Sequence, residues 1–457
     1  MSDTLPTATA AAVEPRLQNL LDQAGTAAGV QAPGLDLSRL DCSRARLDTL
    51  IAEGDTPAWR DAEGGGLALP RADLARARLD ETDLGGANLR AARLSGAIGR
   101  SARFTGAILE EADLSETDLS GADFSAIVAG QVRLSGAMLE DAKFNEAAMR
   151  FGDLSKALLD GADFTGADLW GTDFTGADAD DTVFRKARLD EAKLADTNLT
   201  QANFEDASLT KAVLAGSRLR GATFTGAKLD GADFSGADLS DTNLVRLNLA
   251  TCHLRHARFS GAWLNGTRMQ VEQLGGAVGE EVNEDYAAAQ ASYLALEQNW
   301  KSIGDQDAAS WAYKRGRRMG RHHAGAQAKA AWASRDMHGL ARHGYRWIAD
   351  RFVEWLCDYG ESLSRITRAF ALLIVVFAVL FGMTGGLYIV EGPEAGPTYN
   401  PLDLTSYSAL NMMTANPPEI GLKPTGRVTN LLVGIEGAVG IILMGLFGFV
   451  LGNRLRR

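Results

Sequence analysis

The sequence predicts a multi-domain chain that combines a long coiled β-structure, an α-helical segment and a C-terminal module of two membrane-spanning helices. Three observations predict this organisation. A large apolar residue recurs at every fifth position over residues 74–274, the apolar period then becomes helical, and residues 363–457 contain two long apolar runs. Unbroken periodicity indicates a repeat architecture, and apolar runs of about 20 residues are long enough to cross a bilayer.

The composition limits the classes of function. The 457 residues carry a formal net charge of -12, so nucleic acid is not an expected partner. Residues 1–34 contain acids and prolines but no apolar core of signal-peptide length, and we predict a disordered lead-in in the cytoplasm. The three cysteines lie far apart, which favours a reducing compartment. His253 and His256 lie beside Cys252, but the spacing is not that of a CxxC or paired Cys/His metal motif, so no metal site, cofactor or catalytic constellation is predicted.

The five-residue period has no insertion or deletion. Of the 41 positions from Leu74 to Leu274, 36 are Leu or Phe, two are Met, and the exceptions are Gly99, Ala129 and Ala179. Alanine stands two positions earlier in 27 of the 41 units. Neither a helix nor a flat strand keeps residues five apart on one buried face, whereas a coil with five-residue sides does. With four sides per turn, each large residue would stack on its equivalent in the next coil.

Stretches such as GADFTGADLWGTDFTGAD resemble the A(D/N)LXX motif of pentapeptide-repeat proteins. The resemblance implies a right-handed quadrilateral β-helix over residues 69–278, with residues 35–68 as a partial coil or cap that carries an insert. A cytoplasmic protein partner is a further implication. Some family members present an acidic rod that resembles duplex DNA, but we favour the simpler interpretation that Asp and Asn side chains solvate the flat faces.

Residues 280–362 form the predicted helical neck, which is basic and close to the membrane. Apolar residues on either side of GDQD predict helices at about 281–302 and 306–323, a hairpin that would cap the β-helix or join subunits. Ten Lys or Arg residues lie between Lys314 and Arg351, against two Asp. This charge follows the positive-inside rule and would attract anionic lipid headgroups. A pH-sensing role is an alternative for the four histidines of this region, His322, His323, His338 and His343.

Two apolar runs define the C-terminal module, residues 363–457. Residues 369–390 contain no charge and residues 431–451 contain one, Glu436, so both are predicted membrane-spanning helices. Basic residues precede the first run and follow the second. By the positive-inside rule, both termini are expected in the cytoplasm, and the protein is expected to be a multi-pass protein of the inner (plasma) membrane.

The segment between the runs is too apolar for an ordinary exposed loop. Residues 404–414 are predicted to form a short helix that ends before two prolines. The order of span, short helix, broken segment and span resembles the pore module of two-span potassium channels. The resemblance implies a homo-oligomer, a tetramer in that family, with a re-entrant pore loop at 403–424. It also implies a filter and an inner-helix hinge. The filter comprises Thr414, Ala415, Asn416, Pro417, Pro418, Glu419 and Ile420, and the hinge comprises Gly437, Gly440 and Gly445.

The filter departs from the potassium-channel pattern. Two prolines fix φ and cannot replace the glycines of TVGYG, so we expect a wider, hydrated opening rather than potassium selectivity. A ring of Glu419 favours cations and rings of Lys423 or Arg427 favour anions; we favour cations. Glu436 either faces the pore or supports the short helix from behind, and we favour support. The sequence thus predicts an ion channel that is not potassium-selective. The alternative is a membrane-anchored scaffold without conduction, and an enzyme is not expected.

Overall fold

The computed structural model describes residues 69–390, 396–414 and 420–455. The chain divides into two compact units, Met1–Ala312 and Tyr313–Arg457. The predicted lead-in at 1–34 and nearly all of the predicted partial coil at 35–68 lie outside the described residues, as does the centre of the predicted filter, residues 415–419.

Residues 69–270 form a β-helix with four five-residue sides per coil. Parallel bridges join residues 20 positions apart, from Asp73 with Arg93 to Asn248 with Arg268. The amides of most large residues donate to a carbonyl in the next coil, as from Leu74 N to Arg93 O at 2.6 Å. The 20-residue spacing confirms the prediction of four sides per turn.

Large apolar side chains stack along the interior of the β-helix. Four of them have ring centroids 4.8, 4.9 and 4.6 Å apart and nearly parallel planes: Phe104, Phe124, Phe144 and Phe164. Ala129 and Ala179, two exceptions to the period, are fully buried at the same position of their pentads. Full burial of one Leu or Phe side chain stabilises a protein by about 1.5–3 kcal/mol, so the stack is the main source of stability.

Nearly every corner of the coil places one residue in the left-handed backbone region. The second residue after the large one has positive φ, as at Arg76 (57°) and Gly86 (64°). The corner closes through a hydrogen bond such as Ala77 N to Leu74 O at 3.0 Å. Glycine adopts this conformation freely, whereas another residue costs about 1–2 kcal/mol, which explains the abundance of glycine in the repeats.

Helices follow the last coil. A 3-10 helix spans Val271–Leu274, α1 spans Gly279–Val282, α2 spans Tyr286–Ile303 and α3 spans Gln306–Ala333. The prediction of a helix from 281 was wrong by five residues, because Asp285 accepts from Ala288 N at 3.1 Å and caps α2 there. The predicted break at GDQD is confirmed, since Gly304 ends α2 with φ of 85°. α3 continues ten residues beyond the predicted end at 323.

Side chains of α2 close the C-terminal end of the β-helix. Asn299 Oδ1 accepts from Thr267 N at 3.0 Å, and Asn299 Nδ2 donates to Thr267 O at 2.9 Å, so one amide side chain takes the place of a next coil. Trp300 Nε1 donates to Met269 O at 3.1 Å. Polar groups of the last strand edge are thereby satisfied, and the predicted capping role of this segment is confirmed.

Glu280 completes this cap from α1. Its side chain is buried, and Oε1 accepts from the amides of Phe259 and Ser260, each at 2.9 Å, and from Ser292 Oγ at 2.5 Å. Burial raises the pKa of the Glu280 carboxyl, while the hydrogen bonds from Ser292 and the backbone oppose that rise. The cap therefore contains an ionisable group whose folded environment favours the protonated form.

The second unit contains four further helices. α4 spans Met337–Cys357, α5 spans Leu363–Thr384, α6 spans Pro401–Thr414 and α7 spans Arg427–Leu455, with a 3-10 helix at Asp358–Gly360. Their apolar side chains form one core, which includes Leu356, Phe377, Phe381, Tyr407, Met412 and Leu443. Two helices, α5 and residues Arg427–Gly452 of α7, are long and apolar enough to cross a membrane.

A small antiparallel sheet joins the ends of α5 and α7. Its strands β1 (Leu387–Ile389), β2 (Gly396–Pro397) and β3 (Leu422–Pro424) have the order β2-β1-β3. The prediction that the first span continues to 390 was wrong. Gly385 ends α5 in the left-handed region, at φ of 57°, and the apolar residues that follow form β1. α7 begins four residues before the predicted start at 431.

Candidate functional site

Helix α6 packs against both long apolar helices, α5 and α7. It begins at Pro401, which needs no amide donor at a first helical position, and Asn400 Oδ1 accepts from Leu402 N at 3.1 Å as a cap. Thr398 Oγ1 donates to Asp403 Oδ2 at 2.9 Å and fixes the entry to the helix. The predicted short helix is confirmed, with a start three residues earlier than the predicted 404.

Three polar side chains meet between the helices, and we call Ser408, Asn411 and Glu436 the buried triad. Glu436 is fully buried in α7, and Asn411 Nδ2 donates to its Oε2 at 2.7 Å and to Val433 O at 3.1 Å. Ser408 Oγ contacts Glu436 Oε1 and also lies 3.0 Å from the carbonyl oxygen of Ile374 in α5. The triad therefore links α5, α6 and α7 through side-chain and backbone hydrogen bonds.

Ser408 Oγ bridges two elements of the module. It lies within hydrogen-bond distance of two acceptors, Ile374 O in α5 and Glu436 Oε1 in α7, and a hydroxyl can donate its proton to either. Together with the hydrogen bond that Asn411 Nδ2 donates to Oε2, this contact satisfies the buried carboxyl of Glu436 from the side of α6.

Gly440 sets the distance between α6 and α7. A Cβ atom on Gly440 would lie 2.0 Å from the carbonyl oxygen of Met412, so only glycine permits this backbone approach. Gly437 is buried, whereas Gly445 is exposed and a Cβ there would meet nothing within 4 Å. α7 is one continuous helix through all three glycines. Gly440 thus has a packing role here, and the hinge stays a prediction.

The predicted filter residues are described only at their two ends. Thr414 is the last residue of α6, where it is exposed and donates to Leu410 O at 2.7 Å, and Ile420 is exposed beyond the gap. The other filter residues lie outside the described residues: Ala415, Asn416, Pro417, Pro418 and Glu419. Of the predicted site residues, the structure brings together Glu436 and Gly440, which both contact α6.

Sequence reasoning did not identify Ser408 and Asn411 as partners of Glu436. A signal was present, because both lie on the side of α6 that carries Leu404 and Tyr407, and polar residues on the apolar side of a helix need partners. Among the described residues, no group of three or more His, Cys, Asp or Glu side chains is placed to hold a metal ion.

Comparison with known proteins addresses the β-helix. The family of pentapeptide repeats matches residues 68–98, 100–127, 157–196, 197–236 and 232–270, in eight copies. The chain carries pentapeptide repeats. No curated protein gives a significant match.

Several solved structures are similar to this pentapeptide-repeat region. HetL from the cyanobacterium Nostoc, a pentapeptide repeat protein involved in heterocyst differentiation regulation, is 25% identical over 54% of this chain and 94% of its own, with a TM-score of 0.23. A thylakoid-lumen pentapeptide repeat protein from Arabidopsis thaliana is 36% identical over 21% of this chain and 60% of its own, with a TM-score of 0.16. The plasmid-mediated fluoroquinolone resistance protein QnrB1 is 25% identical over 44% of this chain and 96% of its own, with a TM-score of 0.20.

Acidic side chains of the pentapeptide repeats have two structural roles. They accept from the amide two residues later, as Asp123 Oδ1 does from Ser125 N at 2.9 Å, which supports each corner. They also pair with bases one coil away, as in Arg133 with Asp113 at 3.4 Å and Lys193 with Asp173 at 3.2 Å. The sides that carry these pairs therefore do not present an uninterrupted acidic surface.

Proposed function

We propose that the protein is a homo-oligomeric ion channel of the membrane, with α5, α6, α7 and residues 415–419 as its pore module. The observation that carries the proposal is the buried triad, which holds a short helix between two helices that are long enough to span a bilayer. With 14 residues, α6 is too short to cross the roughly 30 Å of a hydrocarbon core. A re-entrant pore helix is the arrangement that suits a short helix followed by two prolines, because non-helical backbone is tolerated at membrane depth where it lines water.

The proposed assembly follows from this module. A tetramer would place four α6 helices around one axis. Both termini and the pentapeptide-repeat β-helix would lie in the cytoplasm, where the β-helix would dock a protein partner or take part in gating. Pro417 and Pro418 disfavour potassium selectivity, and a ring of Glu419 favours hydrated cations. The triad belongs behind the pore, where it supports α6. No catalytic step or cofactor is part of the proposal.

A non-conducting, membrane-anchored scaffold is the competing function, and the long pentapeptide-repeat region favours it. A tether requires two apolar helices, but it does not require a third helix fixed by a buried acid and by a glycine in backbone contact. The buried triad is therefore the observation that favours the channel function over the scaffold function.

Recording from purified protein in planar bilayers tests the proposal. We expect cation-selective currents without preference for potassium over sodium, seen as a reversal potential that follows the cation gradient. E419Q should move the reversal potential toward zero under a salt gradient, whereas the matched variant K423Q should leave cation selectivity intact or increase it. A well-folded oligomer that conducts at no voltage and no pH would favour the scaffold instead.

A further inference from the structure

Helix α4 presents its acids to α3 and its aromatic side chains outward. Arg317 pairs with Asp350, and Arg318 and Arg321 pair with Glu354, the first of these two at 2.9 Å. Large apolar side chains on the opposite side are exposed, at 74%, 61%, 56% and 49% for Tyr345, Ile348, Phe352 and Trp355. A helix in water normally turns its apolar side inward, so this outward face requires a covering partner.

Two adjoining grooves lie where this face meets the start of α5. One has a volume of about 380 Å³ and is lined by Trp347, Ile348, Arg351, Phe352, Glu354, Trp355 and Arg365. The other, of about 550 Å³, shares Trp355 and Arg365 and adds Arg368 and Leu372. Arg365 is held by hydrogen bonding to Glu354 O at 2.6 Å. Within the described parts of the chain, neither Arg351 nor Arg368 has an acidic partner in an ion pair, and Arg351 lies over the Trp347 ring at 5.9 Å.

We propose that this face of α4 lies against the cytoplasmic surface of the bilayer and that the grooves bind an anionic phospholipid. Its headgroup phosphate pairs with Arg351 and Arg368, and its acyl chains lie along Phe352 and Leu372. The proposal rests on the membrane location in the proposed function, because α5 begins at Leu363, within a few residues of the end of α4. Trp and Tyr prefer the headgroup level, and a helix with aromatic and basic residues on its outer side is typical of an interfacial helix.

The exposed charges of α4 favour a lipid surface, rather than a second copy of the chain, as the partner that covers its outward face. The exposed residues of α4 beyond its first turn include Arg342, Arg346 and Arg351 but no acid, because Asp350 and Glu354 are turned toward α3. Two copies packed face to face would bring these arginines together, and like charges oppose association. An anionic bilayer surface instead complements all of them.

The test uses the full chain in nanodiscs of phosphatidylcholine with or without phosphatidylglycerol, and native mass spectrometry to count the lipids that remain bound. We expect retention of phosphatidylglycerol over phosphatidylcholine, and a roughly 30-fold loss of that preference in R351Q/R368Q, because two surface arginines are removed. R351K/R368K should keep most of the preference. R218Q/R246Q, in the pentapeptide repeats, is the matched control with the same change in charge and should retain all of it.

Hydrogen exchange on the same samples identifies what covers α4. We expect protection of residues 345–356 in discs that contain phosphatidylglycerol, at every protein concentration. Equal retention of the two lipids by the wild type, or a preference that R351Q/R368Q leaves unchanged, would overturn the proposal. Protection that depends on protein concentration and not on lipid would assign the face to self-association and overturn it equally. A chain that conducts no ions yet keeps the lipid preference refutes only the channel.

Discussion

The β-helix and the C-terminal module are stabilised in opposite ways. The β-helix repeats one contact many times, and its buried hydroxyls bond to nearby carbonyls, as Thr172 Oγ1 does to Met149 O at 2.9 Å. The C-terminal module has an apolar core that encloses one polar cluster, which joins three helices and has Glu436 at its centre. Stability is therefore distributed along the first region and concentrated in the second. A distributed design tolerates exceptions such as Ala129 and Ala179, whereas a concentrated one does not.

The largest expected effect concerns the stack of large apolar side chains inside the β-helix and its contribution to the free energy of unfolding. Phe164 lies between Phe144 at 4.6 Å and Phe184 at 5.2 Å, and F164A should lower the free energy of unfolding of the repeats by about 3–5 kcal/mol. Urea denaturation followed by far-UV circular dichroism measures this change. The matched control is F151A, because Phe151 is 52% exposed, and it should stay within about 1 kcal/mol of the wild type. Equal losses for the two variants would refute the role of the interior stack.

The next effect tests the concentrated design. E436A leaves Asn411 Nδ2 with one fewer acceptor and a cavity between helices, and should destabilise the C-terminal module by about 2–4 kcal/mol. E436Q keeps the shape of the side chain and an oxygen that accepts from Asn411 Nδ2, and should cost less than about 1 kcal/mol. SDS titration of purified protein in mixed micelles compares the variants. If E436Q destabilised the module as much as E436A, the hydrogen bonds of the triad would be ruled out as the source of the loss.

A smaller effect separates close packing from bending in α7. G440A forces a methyl group against Met412 O and should cost about 1–3 kcal/mol in the same titration. G445A meets no atom within 4 Å in the chain and, by helix propensity, should be neutral or slightly stabilising. A G440A protein as stable as G445A would show that the contact between α6 and α7 is not tight.

The smallest expected effect concerns the cap of the β-helix and depends on pH. The pKa of Glu280 is raised in the folded protein, so the folded state binds the proton more tightly than the unfolded state does. Its contribution to stability is fully present below the ordinary glutamate pKa and is lost as pH rises through the raised folded value. E280Q keeps an acceptor for Phe259 N and Ser260 N, and should remove this slope. Amide exchange at these two residues, corrected for intrinsic rates, measures cap opening; an unchanged slope in E280Q would exclude Glu280 as its source.

The same contrast explains what the sequence predicted well. A period held over 41 units encodes the coil directly, since each large residue has its contact partner 20 positions away in the same pattern. The short helix α6 was also predictable, because the prolines that follow it and its apolar character are local signals. The ends of helices were missed where a single residue decides them, through its side chain at Asp285 and through its backbone conformation at Gly385.

The buried triad was only half predictable. Glu436 is conspicuous as the one acid in an apolar run, but Ser408 and Asn411 lie 28 and 25 positions away. No local pattern joins them, because the pairing arises from the packing of α6 on α7. The outward face of α4 was missed for a similar reason. The acids that turn it outward are paired with arginines of α3, 33 to 36 positions earlier in the chain.

Ion flux into liposomes that contain the purified protein tests the central claim most directly, when the wild type, E436Q and E436A are compared at equal protein content. The proposed function predicts cation uptake by the wild type, near-equal uptake by E436Q, and loss of uptake by E436A. Only E436A removes every side-chain hydrogen bond between residue 436 and α6. Absence of uptake in all three, or equal uptake in all three, would contradict it.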